Sequence, residues 1–201
     1  MKHQSTFQVL IALLIISLQG LNAQPVYRAL VNGQIVTKEG EVKEGRIEVQ
    51  DYDQHAQHVI FFDELNIKRT YSASDLKSYS LDFLTKGEDG SFVKQRRHFQ
   101  SKAVAHTNEP VYAFLEQEVE GNLNLYRYYM PSEDKKSPEY RIFVEGNKLG
   151  FSEIQKSNFI DEAKKVFGEY DEMSYALGME GYEFNDMGRL VKNYNLWVSR
   201  R

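Results

Sequence analysis

Two histidines three residues apart are the side chains of this chain whose type and spacing suggest metal binding. They are His55 and His58 in the stretch D-Y-D-Q-H-A-Q-H, with Asp53 two residues before the first. On a helix the two imidazoles would share a face and could hold a divalent ion, whereas on a strand they would point to opposite faces. The polar neighbours lie between two predicted strands, which favours a solvent-exposed loop. We therefore predict no metal and no cofactor, and a site built from Asp53, His55 and His58 is the less favoured alternative.

A basic stretch and an aromatic stretch are candidates for a ligand or partner surface. Lys94 and Arg96 share one face of a predicted strand and could hold an anion or an acidic glycan. The favoured interpretation is the solvated side of an edge strand. Tyr126 and Tyr128 share a strand face that could stack on sugars, although packing within the sheet is favoured. Trp197 is a candidate anchor for a partner protein, although its register on a predicted helix favours partial burial.

Catalytic motifs are missing from the sequence. It contains no G-x-S-x-G elbow, no phosphate-binding glycine loop and no dinucleotide fingerprint. It also contains no cysteine, which excludes disulfides, thiolate metal sites and a cysteine nucleophile. These observations favour a non-catalytic protein. A small hydrolase or another enzyme that acts on envelope material is the alternative, because catalytic residues can lie far apart in a sequence.

The first 23 residues have the pattern of a secretory signal peptide. Lys2 precedes an apolar run over residues 9–18, and small Ala23 stands at a suitable cleavage point before Gln24. The apolar run is shorter than the roughly 20 residues that span a bilayer. We predict cleavage after Ala23 and a product in the periplasm, at the cell surface or secreted. No transmembrane segment is predicted in the mature chain, and its oligomeric state is left open.

The charge of the chain argues against nucleic acid as a partner. The formal net charge is −4, and removal of Lys2 with the signal peptide makes it −5. A mildly acidic protein lacks the basic surface that attracts phosphate backbones.

The turn and strand patterns predict an α+β protein. Residues 24–86 read as short strands, which predicts an N-terminal antiparallel β-barrel or sheet of SH3-like size. The turn-rich K-G-E-D-G-S at 86–91 marks a boundary. Residues 87–201 predict a second antiparallel sheet of β-hairpins with C-terminal helices packed on it.

Hairpins and helices are predicted at defined places in the second region. The tetrapeptide V-E-G-N occurs at 119–122 and at 144–147, and the residues around the two copies differ. Each copy predicts a hairpin with a two-residue type II′ turn, because glycine adopts positive φ readily. Apolar residues at helical spacing predict one helix from 159 towards 168 and another from 187 to 198, with a short helix between them at 171–177.

Four short motifs occur in a familiar order. They are G-x-I-V-T-x-x-G-E-x-x-x-G-x-I at 33–47, I-x-F followed by Y-S-x-x-D-L within 60–76, E-G-x-L-x-L-Y at 120–126 and L-V-x-x-Y-N at 190–195. Together with the signal peptide they resemble a large family of exported proteins of unknown function common in Bacteroidetes-type bacteria. The resemblance implies a periplasmic or surface setting and carries over no site residue. The resulting hypothesis is an exported module that binds an envelope protein or a glycan.

Overall fold

The computed structural model of the chain describes residues 29–86, 90–106, 109–130, 139–147 and 149–201. The predicted signal peptide and the centre of the predicted turn at 86–91 lie outside the described residues.

The strands of the described residues form one antiparallel sheet of ten strands. Their order across the sheet is β10-β9-β8-β7-β6-β5-β1-β2-β3-β4. Their bounds are β1 Leu30–Thr37, β2 Val42–Glu48, β3 His58–Phe62, β4 Lys68–Ser72, β5 Leu76–Lys86, β6 Phe92–His106, β7 Glu109–Val119, β8 Leu123–Tyr129, β9 Tyr140–Gly146 and β10 Gly150–Ile154.

The α+β class is confirmed, but a separate SH3-like barrel is not. Strand β1 pairs with both β2 and β5, and β5 pairs with β6 over nine residue pairs from Ser78 to Lys86. These pairings join the two predicted regions into one continuous sheet. The predicted boundary at residue 86 falls within the β5–β6 hairpin.

The N-terminal half of the sheet buries an aromatic core on one face. Ile35 lies opposite Tyr79, and Tyr79 lies opposite Phe99. Because cross-strand partners point to the same side of a sheet, the three side chains meet, and each is at most 1% exposed. The Tyr79 and Phe99 rings stack with centroids 4.6 Å apart.

The C-terminal half of the sheet is buried on both faces. Leu125 pairs with Val144 on the face that helices cover, where both side chains belong to one apolar cluster with residues of these helices. Tyr126 pairs with Phe143 on the opposite face and belongs to a different cluster.

Helices of the last quarter lie where the apolar spacing predicts them. They are α2 Phe159–Phe167, α3 Asp171–Ala176 and α4 Met187–Val198, with 3₁₀ turns at Lys156–Asn158 and Phe184–Asp186. Helix α1, Tyr52–Gln57, was predicted as an exposed loop, and that prediction is wrong. No helix in the described part of the chain is both long and apolar enough to cross a bilayer.

Both V-E-G-N stretches form hairpins, but with a different turn from the predicted one. Each connection has three residues between the strands, and neither Gly121 nor Gly146 has a positive φ. At Gly121 the reason for glycine is close packing, since a Cβ there would lie 2.4 Å from Nδ2 of Asn195. The Asn195 side chain donates to the carbonyl of Leu123 and accepts from its N–H, both at 2.8 Å. This pair of bonds fixes α4 to the β7–β8 hairpin.

Candidate ligand-binding cleft

A cleft lies between the β5–β6 hairpin and α4, above strands β7 and β8. Its volume is about 820 Å³, within the range of roughly 300–1,000 Å³ that is usual for ligand sites. We term it the charged cleft and define it by Phe83 and Arg97 on the hairpin, Glu116, Glu118 and Arg127 on its floor, and Asp186, Arg189 and Lys192 on the helical side.

Strand register brings the charged side chains of the floor to one face. Glu116 lies opposite Phe99 on β6 and opposite Arg127 on β8. Arg97, two residues before Phe99, points to the same side because strand side chains alternate. The sheet therefore brings Arg97, Glu116 and Arg127 side by side.

A second carboxylate of the floor lies at a β-bulge. Gln117 pairs with Tyr126 and Val119 with Leu125, so Glu118 is the extra residue on β7. Glu118, two residues after Glu116, lines the same cleft, as strand alternation also predicts. The bulge changes the direction of Val119, which joins Leu125 in the apolar cluster under the helices.

The carboxylates of the floor are bound by neighbouring side chains. Glu116 is 9% exposed, pairs with Nε of Arg97 at 3.2 Å and accepts a hydrogen bond from the Tyr129 hydroxyl at 2.9 Å. Both carboxylate oxygens of Glu118 contact one guanidinium nitrogen of Arg127, at 2.8 and 3.0 Å. The buried Nε of Arg127 has no hydrogen-bond partner among the described residues.

Burial changes the proton affinity of two groups on the floor. It raises the pKa of Glu118, and the Arg127 guanidinium opposes this rise. Burial, and then the charge of Glu116, raises the pKa of the Tyr129 hydroxyl. Charges in this cleft are therefore only partly screened by water, which strengthens their interaction with a ligand.

The helical side supplies cations that are weakly paired. Arg189 lies 3.8 Å from Asp186, and Lys192 makes no ion pair among the described residues, although its charge acts on Glu118. With Arg97 and Arg127, four cationic side chains face three acidic ones in the charged cleft. Arg96 also borders the cleft but is bound to Asp82. An anion is the ligand that this balance favours.

A second cavity of about 360 Å³ adjoins the charged cleft across α4. We term it the aromatic pocket. Asn193 and Leu196 line both cavities. The other residues of the aromatic pocket are Tyr170, Glu172, Met173, Tyr182, Trp197 and Arg200.

Two of the candidate metal ligands, His55 and His58, lie in a structural cluster, and the third, Asp53, is in the first turn of α1. His55 is 4% exposed and its ring stacks on Tyr79 and Phe99. Its Nε2 accepts the Gln50 N–H at 3.1 Å, and its Nδ1 lies 3.1 Å from the Tyr79 hydroxyl. His58 contacts the Gln50 side chain at 3.0 Å. No group of three or more potential ligands that could hold a metal occurs within the described ranges.

The candidate surface residues are distributed over three other places. Tyr126 and Tyr128 are buried, at 1% and 6% exposure. Lys94 and Arg96 both bind Asp82, at 2.8 and 2.6 Å. Trp197 is half-buried in the wall of the aromatic pocket. Of the candidates, Arg96 and Trp197 border a cavity of the structure.

Comparison with protein-family models, with curated proteins and with solved structures gave no match to this chain.

Sequence reasoning did not select the floor of the charged cleft. Glu116, Glu118 and Arg127 read as ordinary charges of strands. The one local signal is the run L-E-Q-E-V at 115–119, which places two glutamates two residues apart at the end of a strand. The helix that closes the cleft above these glutamates comes from a distant part of the chain, so the cleft has no local signature.

Proposed function

We propose that the protein is an exported, non-catalytic binding module of the periplasm or cell surface, and that its ligand site is the charged cleft. The signal-peptide pattern and the resemblance to exported proteins support this setting. The ligand carries a carboxylate or a similar anionic group. It is an acidic glycan or an acidic segment of an envelope protein.

One observation carries the proposal. A chain with a net charge of −4 has a cationic excess in this cleft, and the acids of its floor are already paired with arginines. An entering anion therefore meets Lys192 and Arg189 without displacing an existing strong ion pair. Low-dielectric walls and one sign of excess charge raise the local concentration of the oppositely charged ligand.

Titration calorimetry with defined probes tests this proposal. Trigalacturonate is the acidic glycan, tetraglutamate is the acidic peptide and maltotriose is the neutral control. We expect an acidic probe to bind and maltotriose not to bind. The affinity should fall with salt, since exposed charges are screened beyond about 8–10 Å at physiological ionic strength.

A double variant separates the cleft from the general charge of the protein. Arg189→Ala with Lys192→Ala should weaken the acidic probe about tenfold or more, equivalent to about 1.4 kcal/mol. Lys164→Ala with Lys165→Ala removes two exposed cations from α2 and should leave the affinity unchanged. Equal losses in both variants would reduce the effect to non-specific attraction and contradict the proposal.

A small hydrolase is the second candidate, favoured by the two glutamates of the floor. Burial raises the pKa of Glu118, and a carboxyl group that holds its proton can act as a general acid beside a second, ionised carboxylate. Release of reducing ends from trigalacturonate or from a hyaluronan tetrasaccharide tests it. Product formation that Glu118→Gln abolishes would replace the binding module by an enzyme.

A further inference from the structure

The aromatic pocket and the charged cleft are neighbours that meet at α4. Asn193 and Leu196, three residues apart, line both cavities. At 1.5 Å of rise per residue, they form a shared wall about 5 Å long. One extended ligand can therefore occupy both cavities across this wall.

The rim of the aromatic pocket offers polar groups that no described protein atom uses. Within the described part of the chain, the side chains of Glu172, Asn193 and Arg200 make no hydrogen bond or ion pair, and neither does the hydroxyl of Tyr182. Together they include one hydrogen-bond acceptor, one hydrogen-bond donor and two groups that both donate and accept. Such a mixture suits a ligand with several hydroxyl groups, which donate and accept in turn.

The interior of the pocket offers apolar surface with fixed orientation. Trp197 stacks on Tyr170 with centroids 4.7 Å apart and an interplanar angle of 6°, so it is a rigid wall. The guanidinium of Arg189 lies 5.3 Å from the centre of the Tyr182 ring and covers one face of it. The Tyr182 ring also packs against the apolar cluster under the helices, and the guanidinium of Arg201 lies 3.7 Å from the centre of the Trp197 ring. Both rings are therefore held in place by the protein and form fixed walls of the pocket.

We propose that the aromatic pocket binds an uncharged sugar ring of the same ligand whose acidic group occupies the charged cleft. The ligand is then an oligosaccharide in which an acidic sugar is followed by a neutral one. This inference rests on the proposed function and selects the glycan over the acidic peptide. A pyranose ring presents a rim of hydroxyls to Glu172, Asn193 and Arg200 and to the hydroxyl of Tyr182.

Titration calorimetry on the full mature chain compares three glycans of different pattern. A hyaluronan tetrasaccharide alternates glucuronate with N-acetylglucosamine, trigalacturonate is acidic throughout, and chitotetraose is neutral throughout. We expect the alternating tetrasaccharide to bind at least about tenfold more tightly than either of the others. Chitotetraose bound as tightly as the tetrasaccharide would overturn the inference, because the acidic sugar would then contribute nothing.

Variants of the pocket rim test its part in binding. Glu172→Ala with Arg200→Ala leaves the net charge unchanged and removes two exposed side chains. It should weaken the tetrasaccharide about tenfold and leave the affinity for the glucuronate monosaccharide unchanged. Lys165→Ala with Glu180→Ala is the matched control at exposed positions outside both cavities. Tyr182→Phe removes the hydroxyl, keeps the ring that packs on the core, and should weaken the tetrasaccharide.

The outcomes distinguish this inference from the proposed function. If the tetrasaccharide loses affinity in the Arg189 and Lys192 variant but not in the pocket variants, the pocket inference fails and the proposed function stands. If no acidic probe binds the unaltered protein, the proposed function itself fails. Tetraglutamate bound as tightly as the tetrasaccharide, by the unaltered protein and the pocket variants alike, would overturn the choice of a glycan.

Discussion

The cluster around His55 and the floor of the charged cleft are both sets of polar groups on the same sheet, yet they differ in the open space beside them. Around His55 both ring nitrogens have partners and aromatic rings enclose the site. Each place has a buried polar atom with no partner among the described residues, Oε1 of Gln50 beside His55 and Nε of Arg127 in the cleft, and an opening of about 820 Å³ lies above Arg127.

This difference separates a structural polar cluster from a candidate site. A histidine pair has the residue types of a metal site. However, both ring nitrogens of His55 already have partners and aromatic rings stack on it, so no room is left for a ligand. Ordinary strand charges become a candidate site when a helix places them beside an open cavity. Unused hydrogen-bonding capacity beside open volume is therefore a better indicator of a site than residue type.

The largest effect should follow from removal of an aromatic ring beside His55. Phe99→Ala deletes a ring that is 1% exposed and stacks on both Tyr79 and His55. We expect a loss of about 3–5 kcal/mol in the free energy of unfolding, as for other large-to-small changes in cores. Urea denaturation measures it. A loss below about 1 kcal/mol would remove the distinction between this cluster and the open cleft.

Acid should destabilise the protein through His55. Burial, with help from the charges of Arg97 and His58 and against that of Asp51, lowers the pKa of His55 to about 4, compared with about 6.5 in an unfolded chain. The unfolded state therefore binds the proton first. The stabilisation is complete above pH 6.5 and falls by about 3 kcal/mol as the pH decreases from 6.5 to 4.

The structural cause is the tautomer of the ring. Since the Gln50 N–H donates to Nε2, the proton of the neutral ring is on Nδ1, directed to the Tyr79 oxygen, and Tyr79 donates to the His55 carbonyl. A second proton on the ring would be on Nε2 and would face the Gln50 N–H, which is itself a donor. Urea titrations from pH 8 to 4 should show a flatter dependence for His55→Leu. The raised pKa of Glu118 acts with the opposite sign, and an unchanged slope in the variant would refute the role of His55.

A smaller effect should follow from one carboxylate of the cleft floor. Glu116→Gln removes the charge that binds Arg97 and the Tyr129 hydroxyl, and we expect a loss of about 2 kcal/mol because the partners stay partly buried. Glu41→Gln is the surface control. Its side chain is 63% exposed and pairs with Lys43, which is 36% exposed, so its loss should be below about 1 kcal/mol. Equal losses of unfolding free energy in the two variants would contradict the burial of the cleft floor.

The smallest of these effects should come from the contact that positions α4. Asn195→Ala removes two hydrogen bonds to the backbone of Leu123, at a cost of about 1–2 kcal/mol. The helix carries Arg189 and Lys192, so affinity for an acidic glycan should fall as well. Asn147→Ala, an exposed asparagine in the other hairpin connection, is the control. Full affinity in Asn195→Ala would show that this contact does not position the cleft.

Local patterns predicted most of the elements but not their assembly. Helices α2 and α4 follow from apolar residues at helical spacing, because their stripes pack on the sheet. Helix α1 was missed since its sequence Y-D-Q-H-A-Q is polar and short, and it is the tertiary contacts of His55 and Ala56 that bury it. The continuous sheet depends on the pairing of β1 with β5, some forty residues apart, which no local pattern encodes.

The candidate site was less predictable than the fold for the same reason. Trp197 was selected by residue type and does line a cavity. Glu116 and Glu118 resemble ordinary strand charges, and Arg189 and Lys192 face them because the buried side of α4 and the Asn195 contact hold that helix on the sheet. The glycine in the hairpin at 121 was visible in the sequence, but its cause, the close approach of Asn195, lies more than seventy residues away.

One comparison tests the central claim most directly. It measures the affinity for the hyaluronan tetrasaccharide of the unaltered protein and of the double variant Arg189→Ala with Lys192→Ala. Both side chains project from the exposed side of α4 and contribute little to the core, so the unfolding free energy should change by less than about 0.5 kcal/mol. We predict that the unaltered protein binds, that the variant binds at least about tenfold more weakly, and that it unfolds at the same urea concentration. Equal binding by both proteins would contradict the assignment of the charged cleft as the ligand site.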